Sequence, residues 1–184
     1  MIIKTRKCSI FLIICMIIIT IVVIQSRIKI RENQNHTTFG LLQVTKAYMK
    51  DFIEINSSNQ KIEIIEEKFN DINNIVRLLE YSLRESSFTN RSIEKEEFYN
   101  FILKLSYITS TINDAEKMLE NQALRDNLVG LFKLFRQQKN YGIGNDGFFT
   151  INKVIVQYER HTWEGILNNF ILIEDKVNIL KANI

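Results

Sequence analysis

Proline is absent from this chain of 184 residues, so no ring forces a helix to kink or stop. Cysteine is nearly absent: Cys8 and Cys15 are the only two, seven residues apart within one apolar run. That spacing is too long for a disulfide within a helix, and the remaining chain has no thiol with which to form a staple, a zinc cluster or a nucleophile. An extracellular domain without disulfides leans toward a bacterial surface, and the richness in Ile, Asn and Lys suggests an AT-rich genome. Histidine occurs twice, as His36 and His161, which leaves little material for metal or acid–base chemistry. Glycine is scarce as well. Three of the six glycines, Gly142, Gly144 and Gly147, fall together and mark the clearest loop signal.

Charge is missing where it matters most. Residues 8–24, beginning at Cys8 and ending at Ile24, form a run of 17 residues without a charged side chain. As a helix the run is about 26 Å long, close to the thickness of a hydrocarbon core. Its 12 Ile, Leu, Phe and Val residues favour insertion by roughly 4–7 kcal/mol. A cleaved secretory signal fits the basic start, Lys4, Arg6 and Lys7, but the apolar core is long and Ile24 spoils the best cleavage site. A lipoprotein signal with Cys15 as the lipidated residue conflicts with Ile14 before it. The sequence therefore points to an uncleaved signal anchor held in the lipid bilayer by residues 8–24. Residues 1–31 make up a short cytoplasmic N-terminus, the span and its basic flanks. Arg27, Lys29 and Arg31 nearly balance the basic residues on the other side, but Glu32 follows them. The expected orientation places residues 32–184 outside the cytoplasm as one domain.

Six of the 24 basic residues flank the apolar run, leaving 18 against 21 acidic residues in the body, a net charge of −3. The alkaline pI of about 8.8 thus comes from the flanks, and nothing in the body argues for nucleic-acid binding. Three glycosylation tripeptides, at Asn35, Asn56 and Asn90, arise readily by chance in an Asn-rich chain.

What the body does have is helical periodicity. The polar stretch 33–38 reads as the end of the membrane helix, followed by a helix over 39–55. Residues 56–59 read as a turn whose side chains cap the next helix. Over 61–84, Ile62, Ile65, Phe69, Ile72, Val76, Leu79 and Leu83 recur at steps of three and four. Residues 86–92 form a polar break. Phe98, Phe101, Leu105, Ile108, Ile112, Ala115 and Leu119 then repeat the pattern, with Glu94, Glu96 and Glu97 at the positive end of the dipole. After Leu119 the stripe changes phase to Leu124, Leu128, Leu131, Phe132 and Phe135, in a separate helix or one with slipped register. From Phe148 a last helix is expected, carrying Ile151, Ile155, Tyr158, Thr162, Ile166, Phe170, Ile173, Val177 and Leu180. No strand is expected. The fold class is all-α: an N-terminal transmembrane helix followed by an antiparallel bundle of four to five helices. The same stripes could form coiled-coil seams between copies, so a homo-oligomer is an open possibility. Extra apolar residues such as Ile64, Ile75 and Leu78 widen the faces and favour the bundle.

Chemical motifs are weak. Residues 142–147 match a dinucleotide-binding pattern, but a helix rather than a strand precedes them, and a helix-capping turn is the simpler reading. Read as a calcium loop, the same stretch lacks carboxylates at its first positions and has Lys153 where a Glu belongs. His161 and Glu164 could share a helix face, yet no Glu-x-x-His motif exists to complete a metal site. The ordinary reading there is a surface patch of salt bridges with an amphipathic Trp163. Adjacent carboxylates, as at Glu66 and Glu67, Glu96 and Glu97, or Glu174 and Asp175, diverge on a helix. Lys133, Arg136 and Lys139 form a basic edge suited to a helix C-terminus.

These residues assign no catalytic, cofactor-binding or metal-binding position and no cofactor, and they point away from an enzyme. The expected role is a single-pass anchored module that binds or scaffolds a protein partner at the cell envelope. The alternative is a ligand-sensing bundle outside the cytoplasm; in architecture alone, without a shared motif, the layout resembles the periplasmic half of chemoreceptor-type sensors. An enzyme is the least supported of the three.

Overall fold

The fold is that of a computed structural model, which describes residues 2–58, 60–115, 117–137, 139–145 and 152–182; side chains are defined from residue 11 onward, and between 139 and 145 only for 142–144. Among these are five α-helices and a small three-stranded sheet. The helices are α1 (Ile2–Ser57), α2 (Ile62–Glu85), α3 (Lys95–Asp114), α4 (Gln122–Arg136) and α5 (Arg160–Lys181). The strands are β1 (Thr89–Asn90), β2 (Lys139–Asn145) and β3 (Asn152–Gln157).

α1 is one uninterrupted helix of 56 residues, about 84 Å long. The expected break over 33–38 does not occur. Its polar side chains are satisfied without leaving the helix. The Thr37 hydroxyl donates back to the Asn33 carbonyl at 3.0 Å and the Thr38 hydroxyl to Gln34 at 2.9 Å. Asn35 turns inward and is fully buried. The same helix therefore carries two environments. An 18-residue window near its start has a mean hydropathy of 2.5 and none of it is buried. By length and composition this segment suffices to cross a membrane. Farther along, Leu42, Met49 and Phe52 have no exposed surface.

Successive contacts define an antiparallel bundle. α2 runs back along α1, since Ser82 meets Thr38 near the end of α2. Asn73 of α2 accepts from Thr109 late in α3. Lys46 of α1 reaches the Arg136 carbonyl at the end of α4, whereas Asn56 meets Arg125 near its start. Gly165 at the start of α5 lies against Leu134 at the end of α4. Thus α1, α3 and α5 run one way, and α2 and α4 return. The stripes read from sequence form the core: Ile65, Phe69, Ile72, Val76, Leu79 and Leu83 from α2 meet Phe98, Phe101, Leu105, Ile108 and Ile112 from α3. α4 adds all five of its expected apolar residues.

The change of phase after α3 is a true break. Lys117 takes a left-handed φ of 66°, a 3-10 turn covers Met118–Glu120, and Asn121 caps α4 by accepting from Leu124 N at 3.0 Å. The turn after α1 differs from expectation. Ser57 and Ser58 hydroxyls close α1 by bonding the Glu54 and Ile55 carbonyls, whereas α2 begins at Lys61 without a side-chain cap. Asn59, part of that turn, lies outside the described residues.

The sheet is the main departure from the sequence reading. β3 lies between β1, parallel to it, and β2, antiparallel to it. Residues 152–157, expected to begin the last helix, are strand, and α5 starts only at Arg160. Val154 and Val156 point into the core, with half-buried side chains between and beside them. The Gly-rich segment belongs partly to β2, where Gly142 pairs with Ile155 and Gly144 with Lys153. Asp146, Gly147, Phe148 and Ile151 lie outside the described residues. Asn35 of α1 donates to the Asn152 carbonyl, so the sheet sits at the end of the bundle nearer the bare apolar segment.

Candidate functional site

The residues singled out for chemistry do not converge. His161 is exposed, and its Nε2 lies 3.3 Å from Glu159 Oε2. Glu164 pairs instead with Arg160 Nε at 3.1 Å. Trp163, expected on the surface, is buried, and its indole N–H donates to Glu97 Oε1 at 3.0 Å. It belongs to an aromatic cluster with Phe98, Phe101 and Tyr158. Among the described residues no group of three His, Cys, Asp or Glu side chains is placed to hold a metal ion. The adjacent carboxylate pairs occupy exposed positions; Glu67 lies 3.8 Å from Lys68, which also meets Asp71 at 3.4 Å. A dinucleotide loop needs a strand entering it and a helix leaving it. Here β2 pairs antiparallel with β3, with a shift of register between Lys139 and Gly142.

The basic edge at the end of α4 has an unexpected inner neighbour. Lys46 of α1, half-buried, donates its ammonium to the Arg136 carbonyl at 3.1 Å. Burial, with the nearby Arg136 charge adding to it, pulls the Lys46 pKa down to about 8. The carbonyl lies at the negative end of the α4 dipole, where a cation is favoured.

What the molecule does present is apolar surface. A groove of about 580 Å³ lies between α1 and α2, lined by Ile30, Leu41, Leu78 and Tyr81, with Glu85 and several amides around them. A second, of about 300 Å³, lies between α3 and α5. Phe101, Leu167, Phe170 and Ile171 line it, and Glu97, Lys104 and Glu174 border it. Beyond it, Leu172 and Tyr107 are more than half exposed. Apolar ground with a charged border is the composition of a protein-binding patch. The sequence carried part of this signal, because Leu78 lies beside the core stripe of α2 and stays more than half exposed. Comparison with known proteins finds no family model, no curated protein and no solved structure that matches the chain.

Proposed function

We propose that this protein is a single-pass, membrane-anchored interaction module whose helical body lies outside the cytoplasm and binds a protein partner at the cell envelope. The observation that carries the reading is the double environment of α1: a bare apolar window at one end and a core stave of the bundle at the other. A core helix of a soluble protein would hide its apolar stretch, and this one hides none of it. Lipid is the solvent that removes the cost. The partner surface is the α3–α5 groove, which offers Ile171, with exposed Leu172 beside it, to a docking side chain. The body's net negative charge gives no footprint for nucleic acid.

The test uses the full-length chain in its own membranes. A photoreactive residue at Ile171 should give one discrete adduct, and the same group at exposed Lys50 should give none. Ile171→Glu should abolish association while leaving the melting temperature unchanged. Absence of any discrete adduct from the α3–α5 face would contradict the scaffold role. Stabilisation of the body by a small metabolite would move the reading to ligand sensing.

A further inference from the structure

The α1–α2 groove differs from the α3–α5 groove in where it lies and in what repeats along it. On α1 it is lined by Ile30, Gln34, Thr37 and Leu41, at steps of four, three and four. Val44, 39% exposed, continues the series. This is a period of 3.5, the seam of two helices wound about each other. It is distinct from the core stripe of the same helix, in which Asn35, Thr38, Leu42, Thr45 and Met49 are buried. α1 thus carries one stripe covered by α2 and α4, and a second, beside the first, that remains open. Leu78 and Tyr81 of α2, 56% and 70% exposed, widen the open stripe into a trough.

We propose that a second copy of this chain fills the trough, with the two α1 helices parallel and in register; the parallel sense rests on the anchoring proposed above. Charge favours this occupant. α2 runs back along α1, and Ser82 meets Thr38, so Glu85, three residues farther on, lies lower, beside Ile30 and Asn33. A two-fold axis along the helices keeps equal residues at equal height. The same axis brings the two Arg27 side chains, one step below Ile30 on the stripe, near each other, and Glu85 of each copy, about one turn higher, supplies the opposite charge across the pair. Gln34, an amide between Ile30 and Thr37 on the stripe, fixes register as amides at seam positions do in coiled coils. The stripe also continues, at the same steps, through Val23 toward the bare segment. Two copies held in one bilayer could therefore pack along the anchor and the body together, and the shared plane raises their effective concentration.

The test is cysteine crosslinking of the full-length chain in native membranes, with Cys8 and Cys15 replaced by Ser. Ile30→Cys and Thr37→Cys should each give a disulfide-linked dimer on mild oxidation. Gln43→Cys, exposed on the other side of α1, should give none. Glu85→Arg should abolish the dimer band from Thr37→Cys, and adding Arg27→Glu should restore it. All three crosslinking positions are exposed, so the substitutions leave the core intact. No dimer from Ile30→Cys and Thr37→Cys, or equal yields from all three positions, would overturn the pairing. An alkaline wash of the same membranes separates the two proposals. A chain retained without crosslinks rejects the pairing and leaves the anchor standing. A chain released yet crosslinked at Ile30 and Thr37 rejects the anchor and leaves the pairing standing.

Discussion

Asn35 has no exposed surface and ties three segments together. Its amide donates to the Asn152 carbonyl of β3, and its oxygen accepts from the Ser87 N–H just before β1 at 2.7 Å. Asn35→Leu would keep the volume and strand both backbone groups. A cost of about 2–4 kcal/mol in unfolding free energy is expected from two part-buried unpaired groups, measured by denaturant titration. Asn33→Leu, at an exposed position, should change it little. Lys46 makes a pH-dependent contribution. Its pKa falls from 10.5 unfolded to about 8 folded. Between those values the unfolded chain holds more protons, so stability rises with pH across that window and the penalty for burying the charge is present below it. Because the side chain is only half-buried, solvent screening limits the effect to about 1–2 kcal/mol. The rise in melting temperature between pH 8 and 10 should be smaller in Lys46→Met than in the parent; an equal rise in both would refute this assignment.

α1 shows at the scale of an element why sequence patterns mislead. The polar run 33–38 looks like an interruption, yet Thr37 and Thr38 bond back into the helix and Asn35 finds partners on other segments. Nothing within the run breaks helical geometry, because it contains neither proline nor glycine. Thr37→Pro would supply the missing break. It removes one backbone hydrogen bond and sets a ring against the Asn33 carbonyl, and a loss of at least about 3 kcal/mol is expected on denaturation. Thr37→Ala, at the same exposed position, should be nearly neutral. The helices α2, α3 and α4 were legible because each has one wide apolar face and a polar back, and tertiary packing needed nothing more. β3 was not. Ile155, Tyr158, Thr162 and Ile166 keep a helical spacing across a junction where the chain changes from strand to helix. The adjacent β-branched residues Val154, Ile155 and Val156 were the available sign, but the strand has only six residues and one of its two partners, β1, is distant in sequence. Trp163 was misplaced for a related reason. Charged neighbours on both sides suggested a surface, while its own ring packs among Phe98, Phe101 and Tyr158. No site was legible because the surface grooves are made by pairs of helices, and a sequence shows the face of one helix at a time.

For the whole molecule, the unusual property is that one helix carries both a bare apolar segment, long enough to cross a membrane, and a stave of the bundle core. An exposed apolar segment of this length is unfavourable in water, and the bundle provides no face to cover it. α1 has no break at which the segment could fold back, so the body stands on a rod rather than a tether. Any force or rotation applied to the body is then transmitted to that apolar segment. The most direct measurement of this continuity is a spin-label distance in the full-length protein reconstituted into a bilayer, with one label at Thr20 and the other at Gln43. A continuous helix sets the two backbone positions about 35 Å apart. A single narrow distribution near that distance is expected, with the Thr20 label sheltered from water-soluble quenchers. A broad distribution, or a Thr20 label open to water, would contradict the proposed single rod from membrane to bundle.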